Sequence, residues 1–271
     1  MTMSECLYEV REPGIGLITF NRPDRLNAWT GRMGAEYFAH IDAAVADPAV
    51  RVIVVTGAGR GYCAGADMGT LQAIPSGDQA ARASDDGGSI VEGRMQDEIT
   101  RIPKPVISVI NGAAAGLGLV QALMCDIRFA ADTAKFTVAF SKRGLIGEYG
   151  ISWVLPRLVG QSNAMDLMFS SRVVMAEEAH AMGMVNKVLP ADQLMDFALA
   201  YAADLAMNVS PSSMAVMKRQ IYADYERDVS SASKEALLLM RESFGRPDFK
   251  EGVSSFLQKR QAEFPPVDPH A

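Results

Sequence analysis

Two hydrophobic rhythms divide the chain. Through the first two-thirds, short apolar runs alternate with helical spacings; the last quarter carries helical spacings alone. Gly16–Asn21 (GLITFN) reads as a strand closed by Arg22-Pro23-Asp24, since Pro23 cannot continue a central strand. Met33, Tyr37, Ile41 and Val45 recur at four-residue steps and predict a helix from a Thr30 cap to about Asp47, where Asp47-Pro48 ends it. Val50–Thr56 is a continuous apolar run, of the kind a parallel sheet buries on both faces. A glycine-rich loop, Gly57–Gly69, follows. The polar segment 75–89 predicts a mobile loop, and a helix is expected from about Ile90 to Ile102.

The pattern then tightens. Val106–Ile110 is a β-branched run that turns through Asn111-Gly112 and three alanines into Gly116-Leu117-Gly118. A buried helix is expected over Leu119–Met124 and a further strand over Ile127–Ala130. Beyond Ile151 helices are expected over Ile151–Val159, Asn163–Phe169, Ala176–Met182, Ala191–Asn208, Ser212–Arg227, Ser230–Phe244 and Pro247–Phe264, with a short strand at Val185–Leu189. Strands alternating with helices imply a parallel α/β core. The division expected is a core over residues 1–200 and a helical region over 201–271, which either caps its own core or meets another subunit.

Composition narrows the partners. The 271 residues are 49% hydrophobic and 21% charged, and the net charge is −6 without a run of Lys or Arg, which argues against nucleic acid. Cys6, Cys63 and Cys125 are odd in number and widely spaced, as free thiols in a reducing compartment are. The first residues hold acids and no apolar core, unlike a signal peptide. No stretch is apolar for long enough to span a bilayer. The cytoplasm is the expected location.

Several motifs fail. Gly57-x-Gly59 follows a strand, but Tyr62 stands where a dinucleotide fingerprint needs its third glycine. Neither a phosphate-binding P-loop nor a nucleophile elbow is present. His40, His180 and His270 lack metal-ligand spacing, so no metal is expected. Two glycine-rich turns remain, Cys63-Ala64-Gly65-Ala66-Asp67 and Ala115-Gly116-Leu117-Gly118, each after a buried run. Loops that follow parallel neighbours share a sheet edge. Backbone N–H groups there suit an oxygen that gains negative charge; the alternative is that both are simply tight turns that need glycine.

The motifs Asn21-Arg22-Pro23, Asn27-Ala28, Thr56-Gly57, Tyr62-Cys63-Ala64-Gly65-Ala66-Asp67-Met68, Lys104-Pro105-Val106, Asn111-Gly112 and Cys125-Asp126-Ile127-Arg128 resemble those of the crotonase (enoyl-CoA hydratase/isomerase) family. Gly144-Leu145, Leu155-Pro156-Arg157-Leu158-Val159-Gly160, Ala176-Glu177-Glu178-Ala179, Gly183-Met184-Val185 and Glu251-Gly252 through Lys259-Arg260 continue the likeness in the family's order. The resemblance implies a spiral of ββα repeats with a C-terminal helical trimerisation region, assembled as a trimer or a dimer of trimers. It implies an acyl-CoA substrate and no permanently bound cofactor, coenzyme A entering only as part of the thioester. It assigns the oxyanion-hole amides to Ala66 and Leu117, the latter in place of a common glycine. It maps the coenzyme A site onto Ala28, Ala64, Ala66, Asp67, Met68 and Leu117, with Phe256 and Lys259 reaching a neighbouring subunit's nucleotide. Lys259 is otherwise a surface lysine.

The likeness breaks where a hydratase needs two glutamates: those positions fall on Val120 and Phe140, neither of which moves a proton. Glu148 instead matches the carboxylate position of certain enoyl- and dienoyl-CoA isomerases. One buried carboxyl could remove a proton from carbon 2 and return it at carbon 4. Alternatively Glu148 lies in the first turn of the helix near Ile151 and meets its dipole. Two further functions stay open: a hydratase that relies on Glu148, and a catalytically silent acyl-CoA binding protein. Asp67 reads as structural, and Glu92, Asp97 and Glu98 as a solvated face.

Overall fold

The computed structural model describes residues 3–67, 69 and 93–268. The polar segment 75–89, Met68, Glu92, His270 and the start of the helix expected at Ile90 lie outside the described residues.

A six-stranded sheet forms the floor. Its strands are β1 (Cys6–Arg11), β2 (Ile15–Phe20), β3 (Val52–Gly57), β5 (Val106–Ile110), β7 (Ile127–Ala131) and β10 (Lys187–Leu189), hydrogen-bonded in that order. Only β1 and β2 run antiparallel; every other pair is parallel. β3 and β5 are buried at every position. A wholly buried Val or Ile contributes roughly 1.5–3 kcal/mol relative to exposure, so such runs belong in the middle of the sheet. β1, which alternates more exposed positions, takes the edge.

A second sheet stands apart from the first. It is built from β4 (Gly61–Cys63), β6 (Ala113–Ala115), β8 (Lys135–Thr137) and β9 (Val174–Met175). Chain order therefore steps from a floor strand to a second-sheet strand, β3 to β4, β5 to β6 and β7 to β8, as a ββα spiral requires. These two- and three-residue strands carry no period of their own and escape sequence analysis; only pairing across the chain defines them.

Helices follow the expected spacing. α1 (Gly31–Ala46) starts at Thr30, whose hydroxyl accepts from the Met33 amide at 3.0 Å. α2 is Leu117–Met124, α3 Ile151–Val159, α4 Gln161–Ser170, α5 Ala176–Ala181, α6 Leu194–Asn208, α7 Pro211–Asp224, α8 Val229–Ser243 and α9 Pro247–Gln258. The division at residue 200 falls inside α6, whose Ala198, Ala202 and Ala206 are all buried. Where a helix was expected to Ile102, a 3-10 turn at Gln96–Thr100 stands instead; Ile102-Pro103 disfavours helical backbone there. α9 stops short of Phe264, because Lys259 adopts φ 55° and turns the chain back. Phe264 then packs near Gly252, and the Arg51 guanidinium donates to its carbonyl at 2.7 Å.

Phe20, Trp29, Tyr37 and Tyr62 meet largely edge to face in the core between α1 and the sheets, with centroids 5.5–5.7 Å apart. This cluster backs the two glycine-rich turns.

Candidate active site

Parallel pairing of β4 with β6 sends the turns that follow them off the same edge. The turns touch. A Cβ on Gly65, whose φ is +94°, would stand 2.8 Å from the Ala115 carbonyl oxygen. One on Gly118 would stand 2.2 Å from the Cys63 carbonyl oxygen. Close approach of two backbones, and not turn geometry alone, is what excludes side chains here.

Each expected oxyanion amide is aimed by its own peptide unit. In a trans peptide the C=O and N–H point in opposite directions. The Gly65 carbonyl accepts from the Trp29 amide at 2.8 Å, so the Ala66 N–H of that unit points away from the Trp29 segment. The Gly116 carbonyl accepts from the Val120 amide at 3.0 Å, so the Leu117 N–H points out of the start of α2. That N–H is one of the helix's orphan donors, at the positive end of its dipole. Among the described residues, neither the Ala66 nor the Leu117 amide has an acceptor. The Leu117 side chain is buried in the core.

Segments 26–29 and 64–67 run side by side. The Ala64 amide donates to the Leu26 carbonyl at 3.0 Å and the Asp67 amide to that of Trp29 at 2.9 Å. This brings Ala28, Ala64, Ala66 and Asp67 together as one half-buried rim. The Asp67 carboxylate accepts from the Gly69 amide and from Arg22 Nη1, each at 2.9 Å. Partial burial opposes ionisation of Asp67, but these two donors outweigh it and hold its pKa below the usual carboxylate range. Phe256 and Lys259 lie exposed at the end of α9, and no contact joins them to the rim among the described residues.

Val120 is wholly buried in the first turn of α2. Phe140 faces the glycine turn, with its Cε1 3.7 Å from where a Cβ on Gly116 would sit. The two positions that the resemblance gives to glutamates thus put apolar surface in α2 and beside its start. From Phe140 the chain runs through a 3-10 turn to Gly150, where a Cβ would stand 3.0 Å from Met124 Cε at the far end of α2. Glu148 lies on this loop. It precedes the Gly150 cap and so stands outside α3, and no side chain caps that helix. The half-buried Glu148 carboxyl has no ion pair or hydrogen bond among the described residues. Burial alone pushes its pKa up.

A family profile described as enoyl-CoA hydratase/isomerase matches residues 10–266. The chain belongs to the enoyl-CoA hydratase/isomerase family. It is 36% identical over 265 residues to 1,2-epoxyphenylacetyl-CoA isomerase of Escherichia coli (strain K12), covering 97% of this chain and 99% of that protein. Among solved structures it is similar to an enoyl-CoA hydratase EchA12_1 from Mycobacterium marinum, 48% identical with a TM-score of 0.70, over 83% of this chain and all (100%) of that one. It is also similar to an enoyl-CoA hydratase from Polaromonas sp. JS666, 29% identical with a TM-score of 0.86, covering 96% of this chain and 99% of that one. The crotonase-like α/β spiral expected from sequence is the fold of this family member.

Asp97 and Glu98, read as a solvated face, pair with Arg101 and Arg94 at 2.6 and 2.7 Å. Arg22, noticed only as part of a motif, proves to bridge the two rim segments. A cleft of about 340 Å³ between α3 and α7, lined by Trp153, Arg157, Lys218, Tyr222 and Tyr225 among others, contains none of the turn residues.

Proposed function

We propose that this family member shifts a double bond in an acyl-CoA thioester, with Glu148 as the proton shuttle. The thioester oxygen is held by the Ala66 and Leu117 amides. Glu148, ionised, removes a proton from carbon 2 of a 3-enoyl-CoA; the charge moves onto the thioester oxygen as a dienolate. Protonated Glu148 then returns the proton at carbon 4, which leaves the 2-enoyl-CoA and restores the carboxylate. Donors already oriented toward the developing charge lower the barrier without reorganising. Val120 and Phe140, at the positions that the resemblance gives to glutamates, offer no polar group to position a competing water.

The observation that carries this reading is the Glu148 carboxyl: half-buried, unpaired among the described residues, raised in pKa, and outside α3. Similarity to a protein named an isomerase of a CoA thioester supports the reaction class. Relatives named enoyl-CoA hydratase favour water addition as the second reading. Parallel assays with 3-enoyl-CoA and 2-enoyl-CoA separate the two. Turnover of the 2-enoyl substrate to a hydroxyacyl-CoA, without isomerisation of the 3-enoyl one, rejects the isomerase; binding without turnover of either leaves a silent binding protein.

Self-assembly belongs to the same proposal. α8 buries no residue, and Phe256 and Leu257 of α9 are 82% and 73% exposed. Contiguous apolar surface of this kind suits a subunit contact, and the trimer or dimer of trimers is tested by light scattering of the purified chain. The cytoplasm is its proposed location.

A further inference from the structure

We infer that Arg22 is a positioning residue that sets the direction of the Ala66 amide; the inference rests on the oxyanion-hole reading above. Arg22 lies two residues after β2, on the loop that leads to the first rim segment. Its Nη1 donates to the Ala28 carbonyl at 2.5 Å and to Asp67 Oδ2 at 2.9 Å. One guanidinium therefore spans both rim segments on either side of the Trp29–Ala66 bridge. Its other face approaches Glu5 Oε1 at 3.6 Å, and its own amide donates to Asn27 Oδ1 at 2.8 Å. The Arg22 and Asp67 side chains are only 19% and 23% exposed, so solvent screens the pair weakly.

The rim needs such a clamp. Gly65 sits at φ +94°, a conformation that glycine enters and leaves freely. The Ala66 N–H direction depends on that residue, through the bond between the Gly65 carbonyl and the Trp29 amide. Residues 64–67 are tied to 26–29 by three backbone bonds. Arg22 adds a charge-assisted link to Asp67, the residue after Ala66. Loss of that link frees Asp67, then the Trp29–Gly65 bond, and the donor swings off the thioester oxygen. Both bonds leave Nη1, whose two N–H groups the rigid planar guanidinium holds toward both acceptors at once, and a freely rotating lysine ammonium holds them less firmly.

The test compares wild type with Arg22→Gln, Arg22→Lys and Asp67→Asn. The probe is the saturated counterpart of an accepted enoyl-CoA, labelled with carbon-13 at the thioester carbonyl and bound without turnover. Difference infrared spectra then report carbonyl polarisation. Wild type is expected to shift the carbonyl band to lower frequency on binding. Arg22→Gln returns the band toward its solution position and lowers kcat roughly 10- to 100-fold, while KM stays within about threefold. Arg22→Lys recovers part of both. If Arg22→Gln fails to fold, Asp67→Asn, which keeps the Ala28 bond, carries the same comparison with a smaller shift. A folded Asp67→Asn or Arg22→Gln variant with the wild-type band overturns the inference, whatever its kcat. A wild-type band that does not move on binding rejects the oxyanion hole itself, which is a separate outcome.

Discussion

Gly118 is pressed against Cys63. A Cβ on Gly118 would stand 2.2 Å from the Cys63 carbonyl oxygen, 2.6 Å from its Cβ and 2.7 Å from its Sγ. Cys63 ends β4 and opens the turn to Ala66, whereas Gly118 follows Leu117 in α2. With the approach of Gly65 to the Ala115 carbonyl, this contact joins the two turns that carry the expected oxyanion donors. The Cys63 thiol is packing material here: it is wholly buried, and burial pushes its pKa up to about 12, which rules it out as a thiolate nucleophile at neutral pH.

Gly118→Ala forces backbone apart, because the obstructing atom is a carbonyl and not a flexible side-chain tip. The expected cost is about 1–3 kcal/mol, read as a lower midpoint in urea or thermal unfolding. Turnover falls further than occupancy, since the shift moves Leu117 relative to Ala66. Gly245→Ala is the control: its nearest neighbour would be Glu242 O at 3.5 Å, so its stability should stay within about 0.5 kcal/mol of wild type. Equal melting curves for both variants contradict the packing described.

The raised Glu148 pKa gives a signed pH dependence. As the initial base, Glu148 works only when ionised. Isomerase kcat/KM should therefore hold at neutral pH and fall on acidification, through an apparent pKa above the ordinary carboxylate range. Glu148→Gln removes the base, and kcat should drop roughly 10²–10⁴-fold with this acidic limb abolished. An unchanged profile in the variant assigns the limb, and the proton transfer, to another group.

Several of these features were legible in sequence. Val52–Gly57 and Val106–Ile110 announced themselves as runs rich in Val and Ile, and Thr30 as a cap, because each depends on neighbours along the chain. β4, β6, β8 and β9 did not, because GYC, AAA, KFT and VM become strands only when a distant segment pairs with them. Phe264 mimicked one more turn of α9 by spacing, although it packs from a returning segment. At the site, the glycines of both turns could be read directly. The Arg22–Asp67 link could not, because its partners lie 45 positions apart and neither residue type is unusual for a loop.

Lys104 supplies a stability test in the opposite pH range. Its ammonium is buried beneath the end of α1 and donates to the Ala44 and Asp47 carbonyls at 2.8 and 2.7 Å. These are helix-terminal acceptors, which favour a cation. Burial nevertheless dominates and lowers its pKa from 10.5 to about 8. The unfolded chain thus binds more protons than the native one between about pH 8 and pH 10.5, so this group's contribution to stability rises with pH across that window. Lys104→Met leaves the Ala44 carbonyl without its donor and the Asp47 carbonyl with the Val50 amide alone, at a cost of about 1–3 kcal/mol near neutral pH. The gap between wild type and variant should widen from pH 8 to pH 10. A gap independent of pH shows that the ammonium is not desolvated as described.

Lys218 and Asp126 test the attachment of the helical region to the floor. Lys218 Nζ on α7 donates to Asp126 Oδ2 at 2.8 Å, and that same oxygen accepts from the Val106 amide at the start of β5, also at 2.8 Å. The side chains are 8% and 17% exposed, so screening is weak. Lys218→Met leaves the mostly buried Asp126 carboxylate without its ion-pair partner, with the Val106 amide and the Tyr222 hydroxyl as remaining donors, and should cost about 3–5 kcal/mol. Asp126→Asn removes the charge that Lys218 needs and should also destabilise. The double variant should cost clearly less than the sum of the two, because it removes both charges together. Additive losses in equilibrium denaturation show two independent roles for the pair.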